Sequence, residues 1–181
     1  GRVAVVGGAQ GVSTDHDVTF LGRGGSDTPA VALAAALGGV CELYTDVSGV
    51  FRADPRSEPA AAKLPLVSHE EMLEAASMGS KVLALRSVEF ARNHNVPVHV
   101  RSSLVPEEGT WITEETPDME KAIVSAIAHK SDEAKITLTQ VQDQTGVAAA
   151  IFTALADALV NDDMLIQNIS VQGHPDVSFT L

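Results

Sequence analysis

A glycine-rich turn near the start of the chain carries three side chains that are suited to phosphate chemistry. It places a cation, Arg23, a hydroxyl, Ser26, and a carboxylate, Asp27, within five positions, on a turn that contains three glycines. Glycine lets a backbone bend tightly and approach a ligand closely. The turn therefore predicts a site for an anionic ligand such as a phosphate or a carboxylate.

The residues after this turn should hold it at the end of a helix. Residues 29–37 are rich in alanine and leucine, with Pro29 in the first turn, so a helix is expected to begin just past Asp27. Its free N–H groups would point toward the turn and favour a carboxylate or phosphate there. Gly38 and Gly39 end the helix, and residues 40–44 read as a strand. This turn–helix–strand unit is typical of an α/β sheet, whose ligands bind at the carboxyl ends of the strands.

A second group of polar residues follows that strand. Thr45 and Asp46 come directly after it, and the loop at residues 50–56 contains Phe51 and Arg56. An adenine can stack on an aromatic ring while cations bind its phosphates. Each feature alone is common in ordinary loops, so the prediction of a nucleotide site depends on their combined order.

Two further helices are expected before the next strand. Residues 68–71 form a capping box that opens a helix through Ala76, and a second helix is predicted over residues 81–93. Its apolar side is expected to consist of Val82, Leu85, Val88 and either Phe90 or Ala91. Lys81 would lie in the first turn of this helix, where its ammonium and nearby N–H groups could share a phosphate; the alternative is a solvated lysine.

Composition limits the class of protein. The chain has 181 residues, of which 45% are hydrophobic, and its net charge is −12, which argues against nucleic acid or an anionic membrane as a partner. The single cysteine, Cys41, permits no internal disulfide, and no segment is apolar enough to suggest a membrane span or export, so a cytoplasmic protein is expected. The six histidines show no metal-ligand spacing, so no metal site built from protein ligands is predicted.

The order of the motifs resembles the carboxyl-terminal half of the catalytic domain of aspartate kinases, followed by the start of their ACT regulatory region. The kinase part of the resemblance rests on Gly22-Arg23-Gly24-Gly25-Ser26-Asp27, Tyr44-Thr45-Asp46, Ala53-Asp54-Pro55-Arg56, Gly79-Ser80-Lys81-Val82-Leu83 and Gly109-Thr110. The regulatory part rests on Lys135-Ile136-Thr137, Asp143, Gly146, Phe152, Asp163-Met164, Gln167-Asn168 and Phe179-Thr180.

The resemblance implies an activity. Aspartate kinases phosphorylate the β-carboxylate of L-aspartate with Mg-ATP to give 4-phospho-L-aspartate, the first step toward lysine, threonine and methionine. By resemblance, Arg23 would pair with a carboxylate of aspartate, Ser26 would position it, and Asp27 and Lys81 would be the catalytic residues. The implied nucleotide-binding residues are Thr45, Asp46, Phe51, Arg56, Lys81 and Val82.

The resemblance also implies a domain organisation. Residues 1–112 would form part of an amino-acid-kinase fold, a mainly parallel sheet between helices, residues 113–132 a linker, and residues 133–181 a truncated α+β ACT module. Lysine, threonine or both would be the effectors, and ACT modules would pair in a homo- or hetero-oligomer. The implied effector-binding residues are Asp143, Gly146, Asn161, Asp163 and Gln167. The helix of this module is expected to turn Val147, Ile151, Phe152 and Leu155 inward.

Both ends of the sequence suggest a fragment of a longer enzyme with little or no kinase activity by itself. Residues 1–6 read as a buried parallel strand, and residues 177–181 are expected to form an unpaired strand edge. Two alternatives remain open. The first is a noncatalytic regulatory subunit that carries ACT modules, which would not need Arg23, Asp27, Arg56 and Lys81. The second is another amino-acid or carbamate kinase of the same fold.

Overall fold

The computed structural model describes residues 1–22, 24–115, 124–130, 134–141, 144, 146–160, 164–169 and 175–180. The chain divides into two units, Gly1–His129 and Lys130–Leu181, and each is described by itself.

The first unit is a mixed sheet covered by helices. Its elements are β1 (Gln10–Val12), β2 (Val18–Phe20), α1 (Asp27–Leu37), β3 (Cys41–Thr45), β4 (Val50–Phe51), β5 (Lys63–Leu64), β6 (Leu66–Ser68), α2 (His69–Ser77), α3 (Leu85–Asn93), β7 (Val98–Ser102) and β8 (Thr110–Thr113). The main sheet has the order β3-β7-β8-β6. The pairs β3–β7 and β6–β8 are parallel, whereas β7–β8 is antiparallel. β1 with β2, and β4 with β5, form two separate antiparallel ribbons.

One face of the main sheet forms the hydrophobic core with the three helices. Alternate residues of the strands supply it, among them Val98, Val100 and Ile112, and Val31 of α1 and Met72 of α2 are also fully buried there. The buried residues of this core are mainly valine and leucine, and aromatic residues make up only 4% of the sequence.

The other face of the sheet carries polar and aromatic side chains. Glu42, His99 and Trp111 lie in register on β3, β7 and β8, and the rings of His99 and Trp111 stack with centroids 4.0 Å apart. Tyr44 donates a hydrogen bond to Glu42 (3.1 Å), and the guanidinium of Arg101 lies 5.6 Å from the centroid of the Tyr44 ring. His99 is therefore a packing residue of this sheet.

Local signals fix the ends of α1 and α2. Gly38 ends α1 in the left-handed conformation (φ 61°), which glycine adopts without strain. The predicted capping box at the start of α2 is present: Ser68 accepts a hydrogen bond from the N–H of Glu71, whose carboxylate accepts one from the N–H of Ser68. Both helices therefore form where the sequence predicts them.

The prediction that α3 begins at Lys81 is wrong, because the helix begins at Leu85. Gly79 (φ 106°) closes α2, Ser80 donates a hydrogen bond back to the Ala75 carbonyl (2.9 Å), and the residues up to 84 are needed to cross to α3. Because α3 starts later, its apolar side differs from the predicted one. Leu83, which precedes the helix, is buried, whereas Leu85 is 43% exposed.

The prediction that residues 1–6 form a buried strand is also wrong. They form no strand, and Val3 and Val5 are 94% and 96% exposed. Apolar residues favour an extended backbone, but a buried parallel strand requires neighbouring strands, and within the described residues no strand pairs with residues 1–8.

The second unit has a β-α-β-β order. Its elements are β9 (Lys135–Leu138), α4 (Val147–Asp157), β10 (Met164–Ile169) and β11 (Pro175–Thr180), and the antiparallel sheet has the order β10-β11-β9. The prediction of an unpaired edge at residues 177–181 is wrong for the described part, since β11 is the central strand and Val177 and Phe179 are buried. The four residues of α4 that were expected to point inward are half-buried: Val147, Ile151, Phe152 and Leu155. The ring of Phe152 meets that of Phe179 edge-on, with centroids 6.3 Å apart.

No helix in the described ranges is both long and apolar enough to cross a membrane.

Candidate active site

The glycine-rich turn has a geometry that requires glycine. Gly22 (φ 84°) and Gly24 (φ 69°) adopt the left-handed region, and the N–H of Gly25 donates to the Gly22 carbonyl (3.1 Å). A Cβ added at Gly25 would lie 2.8 Å from both the Gly22 carbonyl oxygen and the Leu21 Cβ, so a side chain there would force the turn open. Arg23 lies outside the described residues.

Asp27 is the first residue of α1 and is half-buried beside the turn. Burial raises the pKa of its carboxyl group, and the nearby Ala84 N–H and Ser26 hydroxyl lower it to a smaller extent. Burial also raises the pKa of the Cys41 thiol, with a smaller contribution from the Asp27 charge, which indicates that the carboxylate is near β3. Asp27 thus combines a charge, partial burial and a helix start, a combination that suits a ligand-binding carboxylate.

Two other segments approach the turn closely. A Cβ added at Gly24 would lie 3.1 Å from the Ala84 Cβ, and a Cβ added at Gly8 would lie 3.1 Å from the Ser26 Cβ. The loop at residues 78–84 and the segment around Gly8 therefore pack directly on the turn. The sequence predicts neither contact, since alanine and glycine carry no polar side chain that would indicate a site.

Lys81 lies in this same loop. Its side chain is exposed, and the part of the chain that the structure describes contains no hydrogen bond or ion pair to it. Val82 is half-buried, and its side chain packs against the hydrophobic core. The structure thus brings the Lys81 loop to the turn that begins at Gly22, although not through the helix start that the sequence predicted.

The second predicted group of residues lies at the end of β3. Thr45 accepts a hydrogen bond from the Val47 N–H (3.1 Å), and its hydroxyl donates to Asp46 (3.2 Å). Arg56 makes a bidentate pair with Asp54, at 3.1 Å from Nε and 3.0 Å from Nη2, and its side chain is 80% exposed.

Electrostatics connect Asp46 with this loop. The Arg56 guanidinium lowers the pKa of Asp54, while Asp54, and to a smaller extent Asp46, raise the pKa of Arg56. Because Arg56 is exposed, the pair with Asp54 adds little stability and leaves the guanidinium accessible to a ligand.

Phe51 is held in the ribbon formed by β4 and β5, directly opposite Lys63, and is half-buried. Lys63 in turn donates to Glu107 (3.0 Å) and to the Glu108 carbonyl (2.7 Å), so this cation is engaged in structure. Part of the Phe51 ring remains available for contact with a ligand.

Topology relates the two groups of residues. Three residues connect α1 to β3, and the Asp27 charge acts on Cys41 at the start of that strand, whereas Asp46 follows the end of the strand. In the described ranges, however, no hydrogen bond or ion pair directly links Asp27, Asp46 and Lys81. The structure brings Asp27 close to the Lys81 loop and Asp46 close to Arg56.

The effector residues predicted in the second unit are only partly described. Asp143, Asn161 and Asp163 lie outside the described residues. Gly146 precedes α4 with φ 98°, and Gln167 lies in β10 opposite Val177. The left-handed backbone, with open space around it, accounts for glycine at 146.

A groove and a buried histidine elsewhere in the first unit are poor candidates for a ligand site. A groove of about 550 Å³ lies between α2 and α3, but Glu70, Glu74 and Glu89 line it, which disfavours a nucleotide there. Among the described residues no cluster of three or more His, Cys, Asp or Glu could hold a metal ion. His69 is buried and donates from Nε2 to the Val96 carbonyl (3.0 Å), as a packing residue does.

Comparisons with known proteins match both the sequence and the fold. A family profile described as the amino acid kinase family matches residues 1–102. The aspartokinase of Mycobacterium bovis is 55% identical over 186 residues, covering 99% of this chain and 44% of that protein. A crystal structure of E. coli aspartokinase III in complex with aspartate and ADP, in the R-state, has a TM-score of 0.83 at 30% identity and covers 96% of this chain and 38% of that one. The same enzyme with lysine and aspartate, in the T-state, has a TM-score of 0.68 at 29% identity, with the same coverage. The chain thus spans less than half the length of the curated relatives it matches.

Proposed function

Because the chain belongs to the amino acid kinase family, we propose that the protein is a cytoplasmic aspartate kinase that transfers the γ-phosphoryl group of Mg-ATP to the β-carboxylate of L-aspartate. The product is 4-phospho-L-aspartate, the first intermediate toward lysine, threonine and methionine. The observation that carries the proposal is the contact between the glycine turn at Asp27 and the loop that contains Lys81. The turn carries the half-buried carboxylate of Asp27, and the loop that packs on it contains Lys81, in a chain that is 55% identical to a named aspartokinase.

The reaction needs positioning and charge neutralisation more than covalent catalysis. A β-carboxylate oxygen of aspartate forms a bond to the γ-phosphorus, the bond from that phosphorus to the bridging oxygen breaks, and ADP leaves with the electron pair. Arg23 pairs with a carboxylate of the substrate, and Ser26 positions it. Lys81 neutralises charge on the transferring phosphoryl group, and Asp27 orients the cations around it.

The nucleotide is held by the second group of residues together with the loop. The adenine packs on Phe51, and Arg56, whose guanidinium is accessible, meets the phosphates. The backbone N–H of Val82 and the polar groups of Thr45 and Asp46 complete the site. The ADP in the solved aspartokinase III complex supports the use of a nucleotide in this family.

Magnesium fits this site as a companion of the nucleotide. Mg²⁺ keeps several waters and binds through phosphates plus one or two carboxylates, which is compatible with the absence of a three-residue cluster among the described residues. Asp27, the half-buried carboxylate beside the glycine turn, would hold it together with the phosphates. When bound, Mg²⁺ neutralises charge on the phosphates during transfer.

The second unit is proposed to be an ACT regulatory module that binds lysine, threonine or both and pairs with another module in an oligomer. Its β-α-β-β order and the lysine complex of aspartokinase III support this proposal. The proposed effector site consists of Asp143, Gly146, Asn161, Asp163 and Gln167. A purely regulatory chain would not need the kinase motifs in residues 1–102, so the catalytic assignment is preferred.

Titration of the chain with Mg-ATP tests the proposal. Loss of one charge-assisted hydrogen bond to phosphate costs about 1.5–3 kcal/mol, so Lys81→Ala should raise the Kd roughly 10- to 150-fold. Arg56→Ala should raise it as well. Arg92→Ala removes the same charge at the far end of α3, where the Arg92 guanidinium donates to the Asn93 side chain (3.4 Å), and should leave the Kd within about twofold.

Two further outcomes decide between functions. L-aspartate, but not L-glutamate, should change the Kd for Mg-ATP, because the two ligands bind next to one another. Equal losses in the Lys81 and Arg92 variants would mean that only net charge matters and would contradict the proposed site. An effect of L-glutamate equal to that of L-aspartate would favour another amino-acid kinase.

A further inference from the structure

The ribbon that carries Phe51 is too short to hold its own position. β4 and β5 pair through only two residue pairs, Val50↔Leu64 and Phe51↔Lys63. Isolated two-stranded ribbons are marginally stable in water even when they are longer. The ribbon, and the loop with Arg56 that connects its strands, therefore need an anchor on the main sheet.

Thr110, the first residue of β8, supplies that anchor through one hydroxyl. Its Oγ1 accepts a hydrogen bond from the Val50 N–H (2.8 Å) and donates one to the Leu64 carbonyl (2.6 Å). The Arg52 N–H donates to the Ala62 carbonyl (3.0 Å). In an antiparallel ladder every second opposed pair is hydrogen-bonded, so Val50 and Leu64 are the next such pair. The Thr110 hydroxyl thus engages the donor and the acceptor at the end of the ribbon.

The surrounding backbone is shaped for this close approach. Thr110 is completely buried, and a Cβ added at Gly49 (φ 139°) would lie 2.5 Å from its Oγ1. A Cβ added at Gly109 would overlap the Val100 carbonyl of β7. Glycine on both sides therefore lets the ribbon, Thr110 and the main sheet meet without intervening side chains.

Other hydrogen bonds also join the ribbon to residues 107–111, but they do not replace the Thr110 hydroxyl. Lys63 reaches Glu107 and the Glu108 carbonyl, and the Trp111 N–H donates to the Pro65 carbonyl (3.0 Å). These contacts lie on the β5 side of the ribbon. The Thr110 hydroxyl also holds β4, the strand that contains Phe51.

We propose that Thr110 is a positioning residue for nucleotide binding: its hydroxyl fixes the β4–β5 ribbon on the main sheet and so holds Phe51 and Arg56 in place beside the end of β3. This inference rests on the proposed function. Valine at 110 would match the shape but remove the two hydrogen bonds that tie Val50 and Leu64 to β8, whereas serine would keep them.

Hydrogen exchange and Mg-ATP binding of Thr110→Val and Thr110→Ser test this role. In Thr110→Val, peptides that cover residues 49–64 should exchange about tenfold faster or more, as expected for the loss of a buried hydrogen bond, while peptides from β7 keep the parent rates. The Kd for Mg-ATP should rise by about tenfold. Thr110→Ser should stay within about threefold of the parent in both measurements.

Val88→Ala is the control for general destabilisation, since Val88 is a buried core residue of α3 away from the ribbon. It should lower stability without selective exchange at residues 49–64. If Thr110→Val unfolds the whole unit, Gly49→Ala decides the question, because its Cβ displaces the Thr110 hydroxyl and should produce the same local exchange.

The outcomes separate the two proposals. The positioning role is overturned if residues 49–64 of Thr110→Val exchange at the parent rates, even if Mg-ATP binds. If Thr110→Val unfolds, the same result in Gly49→Ala overturns it. An equal rise of the Kd in Thr110→Val and Val88→Ala overturns it as well. If the variants show the expected exchange pattern but the parent chain does not bind Mg-ATP, the proposed function is refuted. The anchoring of the ribbon by Thr110 then still stands.

Discussion

Replacing Ser68 by alanine should destabilise the first unit by about 1.5 kcal/mol, within the range measured for helix N-caps. Ser68 is only 3% exposed, and its hydroxyl accepts the N–H of Glu71 at 3.1 Å. Alanine removes that acceptor, and an unpaired donor in a poorly solvated place costs about 1–3 kcal/mol. The cost matters for function because α2 leads directly into the loop that contains Lys81.

Glu71 makes the capping network testable as a pair. Its carboxylate accepts the Ser68 N–H (3.0 Å) and the Ser125 hydroxyl (2.6 Å). Glu71→Ala should therefore destabilise the unit as well, and the double variant with Ser68→Ala should lose about 0.5–1.5 kcal/mol less than the sum, because the two residues bond each other.

Urea unfolding followed by the fluorescence of Trp111, the single tryptophan, reports on this unit. For a unit of this size, 1.5 kcal/mol corresponds to a fall in Tm of roughly 4–8 °C. Ser77→Ala, at the other end of α2, removes an exposed hydroxyl bonded to the Glu74 carbonyl and should change stability by less than about 0.5 kcal/mol. Equal effects at positions 68 and 77, or strict additivity with Glu71→Ala, would refute this account of the helix start.

The pH dependence of the same network has a definite sign. The Ser125 hydroxyl, and then the N–H and hydroxyl of Ser68, hold the pKa of Glu71 below its usual range. A carboxyl group with a lowered folded-state pKa stabilises the fold above its ordinary pKa of about 4.3, and that contribution is lost as the pH falls through the folded-state value. The stability difference between the parent and Glu71→Ala should therefore shrink in acid.

Two further predictions concern glycine positions and Asp27. Gly109→Ala should cost more than about 3 kcal/mol in urea unfolding, because its Cβ overlaps the Val100 carbonyl, whereas Gly38→Ala, with open space at φ 61°, should cost only about 1–2 kcal/mol; similar losses would show that the strand contact relaxes easily. Burial raises the pKa of Asp27, so its stabilising contribution is present below the ordinary aspartate pKa of about 3.9 and is lost as the pH rises through the folded-state value. Asp27→Asn should accordingly gain stability relative to the parent between acid and neutral pH while its affinity for Mg-ATP falls, and parallel urea midpoints across that pH range would contradict the buried charge.

The sequence by itself determined the features that depend on neighbouring residues. The glycine stop of α1 at Gly38 and the capping box at Ser68 act within one turn of helix, so they form where the residue types predict. Thr45 ends β3 and Asp46 follows it for the same reason, since β3 lies within one residue of the predicted strand at residues 40–44.

Only the tertiary structure decided which segments meet. Residues 1–6 have the composition of a buried strand but no strand to pair with in the described part, and β11 becomes a central strand because β9 and β10 lie on either side of it. The approach of Ala84 to Asp27, the engagement of Arg56 by Asp54 and the anchoring of the ribbon by Thr110 likewise join atoms whose partners the local sequence does not specify. Such contacts depend on strand pairing and on close packing between distant segments, and residue type alone carries no information about the partner.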